Sequence, residues 1–256
     1  MPEIDIKQRL NKVKKLIRLL TKIKNEVKYI TKYIRSIYME SRNFKLKAYK
    51  YIKEKIISGE FYPNQKLEEI VIAQKLKISR TPVREAVNAL KEEDWLNIIP
   101  RKGIFVKEIT LKDINDIFRV REVIEPIILK LAFQNLEKEK IEEFIRIFES
   151  YRDSSTEIDN INLDKYDNKL HYYLLESSNN KYFINLMNNV YEHNQRLRNI
   201  SSQEDSRRLS ATEEHLRILY AIRDREEELA IKSLSEHIEN SKINFLLSIG
   251  SLNLVG

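Results

Sequence analysis

Apolar residues recur at spacings of three and four along most of the chain, which is the pattern of amphipathic helices. The pattern breaks between residues 98 and 106. There Ile98-Ile99 and Ile104-Phe105-Val106 flank the turn Pro100-Arg101-Lys102-Gly103. Short β-branched runs on either side of a glycine-containing turn predict a hairpin. The sequence therefore predicts a mainly α protein with one small β-hairpin.

Three helices are predicted before the hairpin. The first covers 45–57 and ends at Ser58-Gly59, and the second runs from Leu67 to Leu76 with Ile70, Ala73 and Leu76 facing inward. The third begins after Ser79, which suits an N-cap position, and tolerates Pro82 in its first turn. One apolar face of this third helix is made by Val83, Ala86, Val87 and Leu90.

The three helices and the hairpin together predict a winged helix-turn-helix. Arg80, Thr81 and Arg84 lie near the N-terminal end of the third helix, opposite its apolar face, where a recognition helix presents side chains to base edges. Arginine matches the O6 and N7 acceptors of guanine. The tip residues Arg101, Lys102 and Gly103 could contact a phosphate backbone or a minor groove. The alternative is a surface helix and an ordinary hairpin whose cations are solvated.

From Thr110 onward nearly all of the chain is helical by period. The predicted helices cover 111–131, 137–152, 162–178, 180–200, 207–223 and 225–247. The expected organisation is therefore a basic helical extension at 1–44, a winged helix-turn-helix domain at 45–107 and an all-helical domain of about six helices at 108–250.

The extension carries a heptad-like row of apolar residues within 7–38, with Lys and Arg between them. Three interpretations stay open for it. It could pack on the body or pair with its copy in a dimer, it could add non-specific phosphate contacts, or it could lie on an anionic membrane. The membrane ranks last because the apolar stripe is narrow and contains no tryptophan.

Charge is distributed unevenly along the 256 residues. Residues 1–47 hold 14 Lys and Arg against 4 Asp and Glu, residues 48–107 hold 12 against 8, and residues 108–256 hold 20 against 27. A basic front and an acidic rear favour a polyanionic partner at the front, with double-stranded DNA the expected one. The chain has no cysteine, no signal-peptide pattern and no apolar run of membrane-spanning length, so we expect a cytoplasmic location with no membrane partner.

The four histidines are His171, His193, His215 and His237. Asp167 and His171 are four residues apart, hence on one face of a helix. Such a pair with two further histidines could hold Zn, Ni, Fe or Mn. Residue types alone leave open the alternative of unrelated surface or core residues.

A resemblance to the GntR family of bacterial transcription factors spans about 48–107. It is carried by Ser79-Arg80-Thr81-Pro82-Val83-Arg84-Glu85-Ala86, then Leu90, Pro100, Gly103 and Val106. Asn64 and Asp94 replace glycines usual in the family, at turns where Asn and Asp tolerate the left-handed region. The resemblance implies base contacts from Arg80 and Arg84, a backbone contact near Thr81 and a wing-tip contact from Gly103. Ser79, Arg101 and Lys102 complete the set of expected DNA-contacting residues.

Residues from about 111 to 245 resemble the FCD effector domain of the FadR-type branch of that family. The matching stretches are Arg121-Glu122-Val123-Ile124-Glu125, Asp167-Asn168-Lys169-Leu170-His171, Glu214-His215-Leu216 and His237-Ile238. The resemblance implies that Asp167, His171, His215 and His237 are metal ligands, with zinc favoured over Ni, Mn or Fe. His193 matches no ligand position.

Arg121 has two interpretations. It could point into the same cavity and bind a carboxylate effector bidentately, or it could pair with Glu125 within its own helix.

The expected function is that of a homodimeric transcriptional regulator, with repression favoured, which binds a palindromic operator and responds to a small carboxylate at a metal site. Two alternatives stay open. One is a metal-dependent hydrolase, since an Asp/His₃ metal could activate water. The other is a regulator whose metal is purely structural.

Overall fold

The computed structural model describes residues 42–153, 160–200 and 205–251, together with the single positions 24, 28 and 39. The predicted extension at 1–44 therefore lies almost entirely outside the described residues. The chain divides into two compact units. One contains Met1–Ile52 and Leu67–Ile104, and the other contains Lys53–Lys66 and Phe105–Gly256. The mainly α fold class with a small β wing is confirmed.

Within residues 42–106 the structure has three helices and a small sheet. In chain order the elements are α1 (residues 42–57), β1 (Lys66–Leu67), α2 (Glu69–Leu76), α3 (Arg80–Glu92), β2 (Leu96–Ile99) and β3 (Gly103–Val106). The strands form one sheet in the order β1-β3-β2, so β3 pairs with both others. The predicted hairpin is therefore the larger part of a three-stranded wing.

The helix predicted to begin at Leu67 begins two residues later. Leu67 lies in β1 instead, because its backbone is used in the sheet. Ile70, expected to face inward, is 47% exposed, and the buried residues of α2 are Ile72, Ala73 and Leu76. A helix of eight residues has few apolar positions, so its buried face depends on the angle at which it packs.

Side chains from α1 connect to the ends of both following helices. Lys47 Nζ donates a hydrogen bond to the carbonyl oxygen of Leu76 at 3.0 Å, and the Tyr49 hydroxyl donates to Glu93 Oε2 at 2.6 Å. Among the residues of this unit that the structure describes, the buried apolar ones are Ala48, Ile52, Leu67, Ile72, Ala73, Leu76, Val83, Ala86, Val87, Leu90, Trp95 and Leu96. The apolar face predicted for α3 is therefore buried as expected.

Turns that usually need glycine are made by other residues here. Asn64 and Asp94, the two departures from the family pattern, have φ of 64° and 67°. Asn and Asp reach this left-handed region at lower cost than most residues. The substitutions therefore preserve the turns before β1 and before β2.

Six long helices make up the described part of the second unit from residue 111 onward, as the spacing of apolar residues predicts. They are α4 (Leu111–Ala132), α5 (Lys138–Asp153), α6 (Asn160–Ser177), α7 (Lys181–Ile200), α8 (Asp205–Arg223) and α9 (Glu227–Ser251). A capping box begins α4, in which the Thr110 side chain accepts from the Asp113 backbone N–H and Asp113 accepts from that of Thr110.

The main core of this unit is shared by all six helices, with Phe118, Phe148, Leu174, Leu197 and Leu219 among its buried members. A smaller cluster of Ile128, Leu175, Met187 and Tyr191 joins α4, α6 and α7. Within the described ranges, none of the helices has the length and apolar character needed to cross a membrane.

Candidate nucleic-acid interface and metal centre

The N-terminal end of α3 presents polar side chains to solvent. Ser79, Arg80, Thr81 and Arg84 are all exposed, while Pro82 and Val83 between them are buried. Ser79 occupies the N-cap position as predicted, but its side chain makes no capping hydrogen bond. These exposed side chains give α3 the arrangement of a recognition helix, whose first turn faces base edges.

Glu69 is a neighbour of these arginines that the sequence did not indicate. Its carboxylate, from the first turn of α2, accepts hydrogen bonds from Arg84 Nε and Nη2 at 3.1 Å each and from Arg80 Nη2 at 3.3 Å. Arg84 lowers the pKa of Glu69, and Glu69 in turn raises the pKa of Arg84. The carboxylate is therefore ionised at neutral pH.

The wing tip carries two exposed cations. Arg101 and Lys102 lie between β2 and β3, and the turn uses positive φ at Arg101 (65°) and Gly103 (123°). A protruding pair of cations at a hairpin tip can neutralise phosphates.

Three helices of the second unit bring one aspartate and three histidines together. Asp167 and His171 come from α6, His215 from α8 and His237 from α9, and all four are buried. Each offers a ligand atom, and these atoms lie within 4.8 Å of one another. His193, which matched no ligand position, lies on α7 and is half-buried.

The geometry within this cluster is that of side chains converging on one point. Asp167 Oδ1 lies 3.2 Å from His171 Nε2 and 3.0 Å from His215 Nε2. The ring centroids of His215 and His237 are 4.3 Å apart. Asp167 Oδ1 and His171 Nε2 are buried yet make no hydrogen bond to the described part of the chain. Buried polar atoms normally have a partner, so this donor set fits a cation bound among the four residues.

Two glutamates hold the far sides of two histidine rings. Glu125 Oε2 lies 2.7 Å from His171 Nδ1, and Glu214 Oε2 lies 2.8 Å from His237 Nδ1. A carboxylate at Nδ1 keeps the proton on that nitrogen and leaves Nε2 as the free ligand atom, the usual arrangement behind metal-binding histidines. Glu214 also accepts a hydrogen bond from the Asn240 amide at 3.1 Å.

Protonation in this buried cluster favours metal ligation. Burial lowers the pKa of His237 well below its usual value, and His215 beside it lowers it further. Burial would raise the pKa of Glu125, but Arg121 and His171 lower it far below its usual range. A neutral His237 and an ionised Glu125 are the states that a metal site requires.

Of the two interpretations given to Arg121, the structure shows the pair with Glu125, and the carboxylate-binding role stays a prediction. Its Nε donates to Glu125 Oε1 at 2.6 Å within α4, and its Nη1 donates to Asn194 Oδ1 on α7 at 3.1 Å. The side chain is 1% exposed, and Nη2 has no hydrogen-bond partner among the described residues. Because Glu125 also contacts His171, Arg121 is one side chain away from the candidate metal ligands.

Sequence reasoning missed several residues around this cluster. Arg198 of α7 forms an ion pair with Asp167, and the ring of Phe148 stacks on His215 with centroids 4.9 Å apart. Glu214 directly precedes His215 in the chain, which was a usable signal. The others come from distant segments and carried none.

The comparisons with known proteins agree with this architecture. Residues 44–106 match the family model described as bacterial regulatory proteins, gntR family, and residues 116–240 match the FCD domain. The Nta operon transcriptional regulator of Aminobacter aminovorans is 32% identical over 183 residues, which cover 72% of this chain and 85% of that protein. The gluconate operon transcriptional repressor of Bacillus licheniformis is 27% identical, over 74% of this chain and 79% of its own length.

A solved structure shows the same fold. The McbR/YncC protein of E. coli superposes with a TM-score of 0.67 at 18% identity, covering 82% of this chain and 99% of that one. Both domain matches follow each other in the order that the family resemblance implies. The chain is a member of the GntR family of bacterial transcriptional regulators and carries that family's FCD domain.

Proposed function

We propose that this regulator is a repressor that binds a palindromic operator as a homodimer in the cytoplasm and responds to a small carboxylate at a metal site. The observation that carries the effector half is the convergence of Asp167, His171, His215 and His237, with the buried Arg121 linked to His171 through Glu125. The relatives named as operon regulators support the DNA-binding half.

In this proposal the four converging side chains hold a divalent cation, with zinc favoured because imidazole and carboxylate are common zinc ligands. A bound cation supplies a Lewis-acidic positive charge that a carboxylate oxygen can coordinate. Glu125 and Glu214 orient the histidines through their Nδ1 atoms. Arg121 offers Nη2 to the second oxygen of the carboxylate, a charge-assisted contact in a water-poor site.

Regulation requires the effector to favour one conformation over another. Asn194 contacts Arg121, and Arg196 two residues later on α7 donates from Nη2 to the carbonyl oxygen of Lys107 at 2.6 Å. Lys107 follows β3 directly and lies in the segment that leads into α4. A shift of α7 on effector binding would therefore move the segment that links β3 of the wing to α4.

The homodimer is supported by two exposed apolar rows in the second unit. Val123, Ile127 and Leu131 lie along α4, and Tyr182 and Leu186 lie on α7, all exposed. These helices pack against each other through Ile128, Met187 and Tyr191, so the rows border one cluster. Exposed apolar groups in such number favour contact with another protein surface. Sedimentation of V123E/I127E as a monomer, beside a dimeric wild type, would support this interface.

The hydrolase alternative is less well supported. The two carboxylates nearest to the histidines, Glu125 and Glu214, are both engaged at Nδ1, on the side of each ring opposite Nε2. Neither is placed to take a proton from water bound among the Nε2 atoms. Every relative described above is named as a regulator or a repressor.

The metal and effector are tested together. Elemental mass spectrometry of the native protein should find about one metal per chain, and H215A should lose it. Isothermal titration of acetate, lactate, succinate and citrate should then show binding to the metal-loaded protein only. If none of these acids binds the metal-loaded protein, the result would favour a metal with a purely structural role. Turnover of small esters that H215A abolishes would instead establish the hydrolase.

The DNA interface is tested with an operator selected from random duplex DNA. Palindromic selected sequences would support the homodimer. We expect R80A to cost about 1–3 kcal/mol at one base position, as loss of a bidentate base contact does. If R80A lowers the affinity equally for every DNA sequence, Arg80 contacts only the phosphate backbone.

A further inference from the structure

Both proposed base-contacting arginines share one carboxylate. Glu69 Oε1 accepts from Arg84 Nε, and Oε2 accepts from Nη2 of both Arg84 and Arg80. The Glu69 side chain is only 13% exposed, whereas those of Arg80 and Arg84 are 58% and 62% exposed. A largely buried carboxylate thus forms hydrogen bonds with two guanidinium groups that otherwise extend into solvent.

The geometry of the pair leaves Arg84 able to bind a base. A guanidinium group has five N–H donors on a planar fork. Glu69 occupies one edge of Arg84, formed by Nε and one N–H of Nη2. The end-on edge, formed by Nη1 and the other N–H of Nη2, remains for the O6 and N7 acceptors of guanine. Arg80 gives Glu69 a single, longer hydrogen bond and is therefore held less firmly.

If Glu69 orients the Arg84 side chain before DNA binds, specific and non-specific binding are affected differently. A long flexible side chain loses rotamer freedom when it docks on a base, and a side chain already held loses less. The anion itself repels DNA phosphates whatever the sequence is, so it weakens operator binding and non-specific binding alike. Only the positioning effect therefore increases the ratio of operator affinity to non-specific affinity.

We propose that Glu69 is a positioning residue that orients Arg84, and more weakly Arg80, for base recognition and thereby sets the sequence selectivity of this regulator. The proposal rests on the proposed DNA-binding role of the two arginines. Glu69 itself needs no contact with DNA.

The chain offers a matched control in Glu68. This residue precedes Glu69, is exposed, and its side chain takes no part in the hydrogen bonds to the arginines. E68Q therefore removes the same charge from the same turn without releasing Arg80 or Arg84. E69D keeps the charge but shortens the side chain by one methylene, which separates position from charge and disturbs the fold little.

Fluorescence anisotropy with the full-length protein would measure affinity for the selected operator, its single-base variants and a random duplex. We expect E69Q and E69D to lower the operator-to-random ratio at least about 5-fold, the factor that corresponds to the weakest good bidentate base contact. E68Q should raise affinity for both duplexes and leave the ratio unchanged. In E69Q and E69D the lost discrimination should concentrate at the base positions that R84A also affects.

Other outcomes overturn the proposal in distinguishable ways. If R84A alters the base profile but E69Q and E69D keep the wild-type ratio, Glu69 does not position the arginines, and the proposed DNA interface stands. If E69Q and E68Q change both affinities equally, Glu69 acts only through its charge. If R84A leaves the base profile unchanged, the proposed role of Arg84 fails, and the role of Glu69 fails with it.

Discussion

The replacement of Glu125 by glutamine tests the central electrostatic feature of the FCD domain. Glu125 is 2% exposed and lies between two donors, Arg121 Nε at 2.6 Å and His171 Nδ1 at 2.7 Å. Glutamine has nearly the same shape but only one acceptor oxygen, and its NH₂ group would face the other donor. E125Q therefore leaves the buried Arg121 charge without its counter-ion while the packing is almost unchanged.

The expected loss of stability is large because the Arg121–Glu125 ion pair is buried. Removal of one partner of a buried ion pair typically costs about 3–5 kcal/mol, since the remaining charge stays desolvated. At about 2–4 °C per kcal/mol for a unit of this size, the melting temperature of the metal-free protein should fall by about 6–20 °C. Since Glu125 also supports His171, metal affinity should fall about 10- to 100-fold.

Glu122 provides the control on the same helix. It pairs with Lys242 at 2.9 Å, but the two side chains are 33% and 25% exposed. E122Q makes the same chemical change in a solvated ion pair, which is worth at most about 1 kcal/mol. Thermal and urea denaturation followed by circular dichroism would compare the two variants without metal. A zinc titration against a chelator of known affinity would then compare them for metal binding.

The result that would refute this reasoning is a similar loss in both variants. If E125Q lowered the free energy of unfolding no more than E122Q does, the Arg121–Glu125–His171 contacts would stabilise the protein no more than a surface ion pair does. If E125Q lost stability but kept wild-type zinc affinity, the hydrogen bond to His171 would have no role in orienting that ligand.

Three further predictions concern pH and DNA binding. Burial lowers the pKa of His237 well below 6.5, so below about pH 6.5 the unfolded chain takes up a proton that the folded chain does not. The metal-free protein should therefore lose stability as the pH falls through that value. Melting temperatures that stay constant from about pH 7.5 to 5.5 would contradict this prediction. The double variant R101A/K102A should lower the slope of log affinity against log salt by up to about 2 and leave the base profile unchanged, as loss of two phosphate contacts does. Deletion of residues 1–40 should also lower that slope, and an unchanged slope would make the extension structural.

Local pattern was enough to predict the helices. The bounds predicted for α4 to α9 agree with the structure to within a few residues, because each helix is long enough for its apolar period to be clear. The N-cap position of Ser79 and the spacing of Asp167 and His171 are also local properties of the chain. The family resemblance then supplied the two remaining histidines, which no spacing could have connected.

Short or shared elements were predicted less well. The sequence pattern predicts a helix at Leu67 because its neighbours are helical, but its backbone pairs with β3 far along the chain. The pattern also predicts that Ile70 faces inward, yet Ile70 is exposed, because in eight residues the direction of packing outweighs the period. Ser79 occupies the cap position without using its hydroxyl group.

The sequence by itself determined which segments are helices, where the recognition helix and wing lie, and which residue types could hold a metal. Only the tertiary structure decided which side chains meet. Glu125 reaches His171 across 46 residues of chain, Glu214 reaches His237 across 23, and Glu69 reaches Arg84 across 15. Contacts of this kind depend on the crossing of packed helices, which no periodicity within one helix encodes. The partners that set charge and orientation at both sites therefore became visible only in the folded chain.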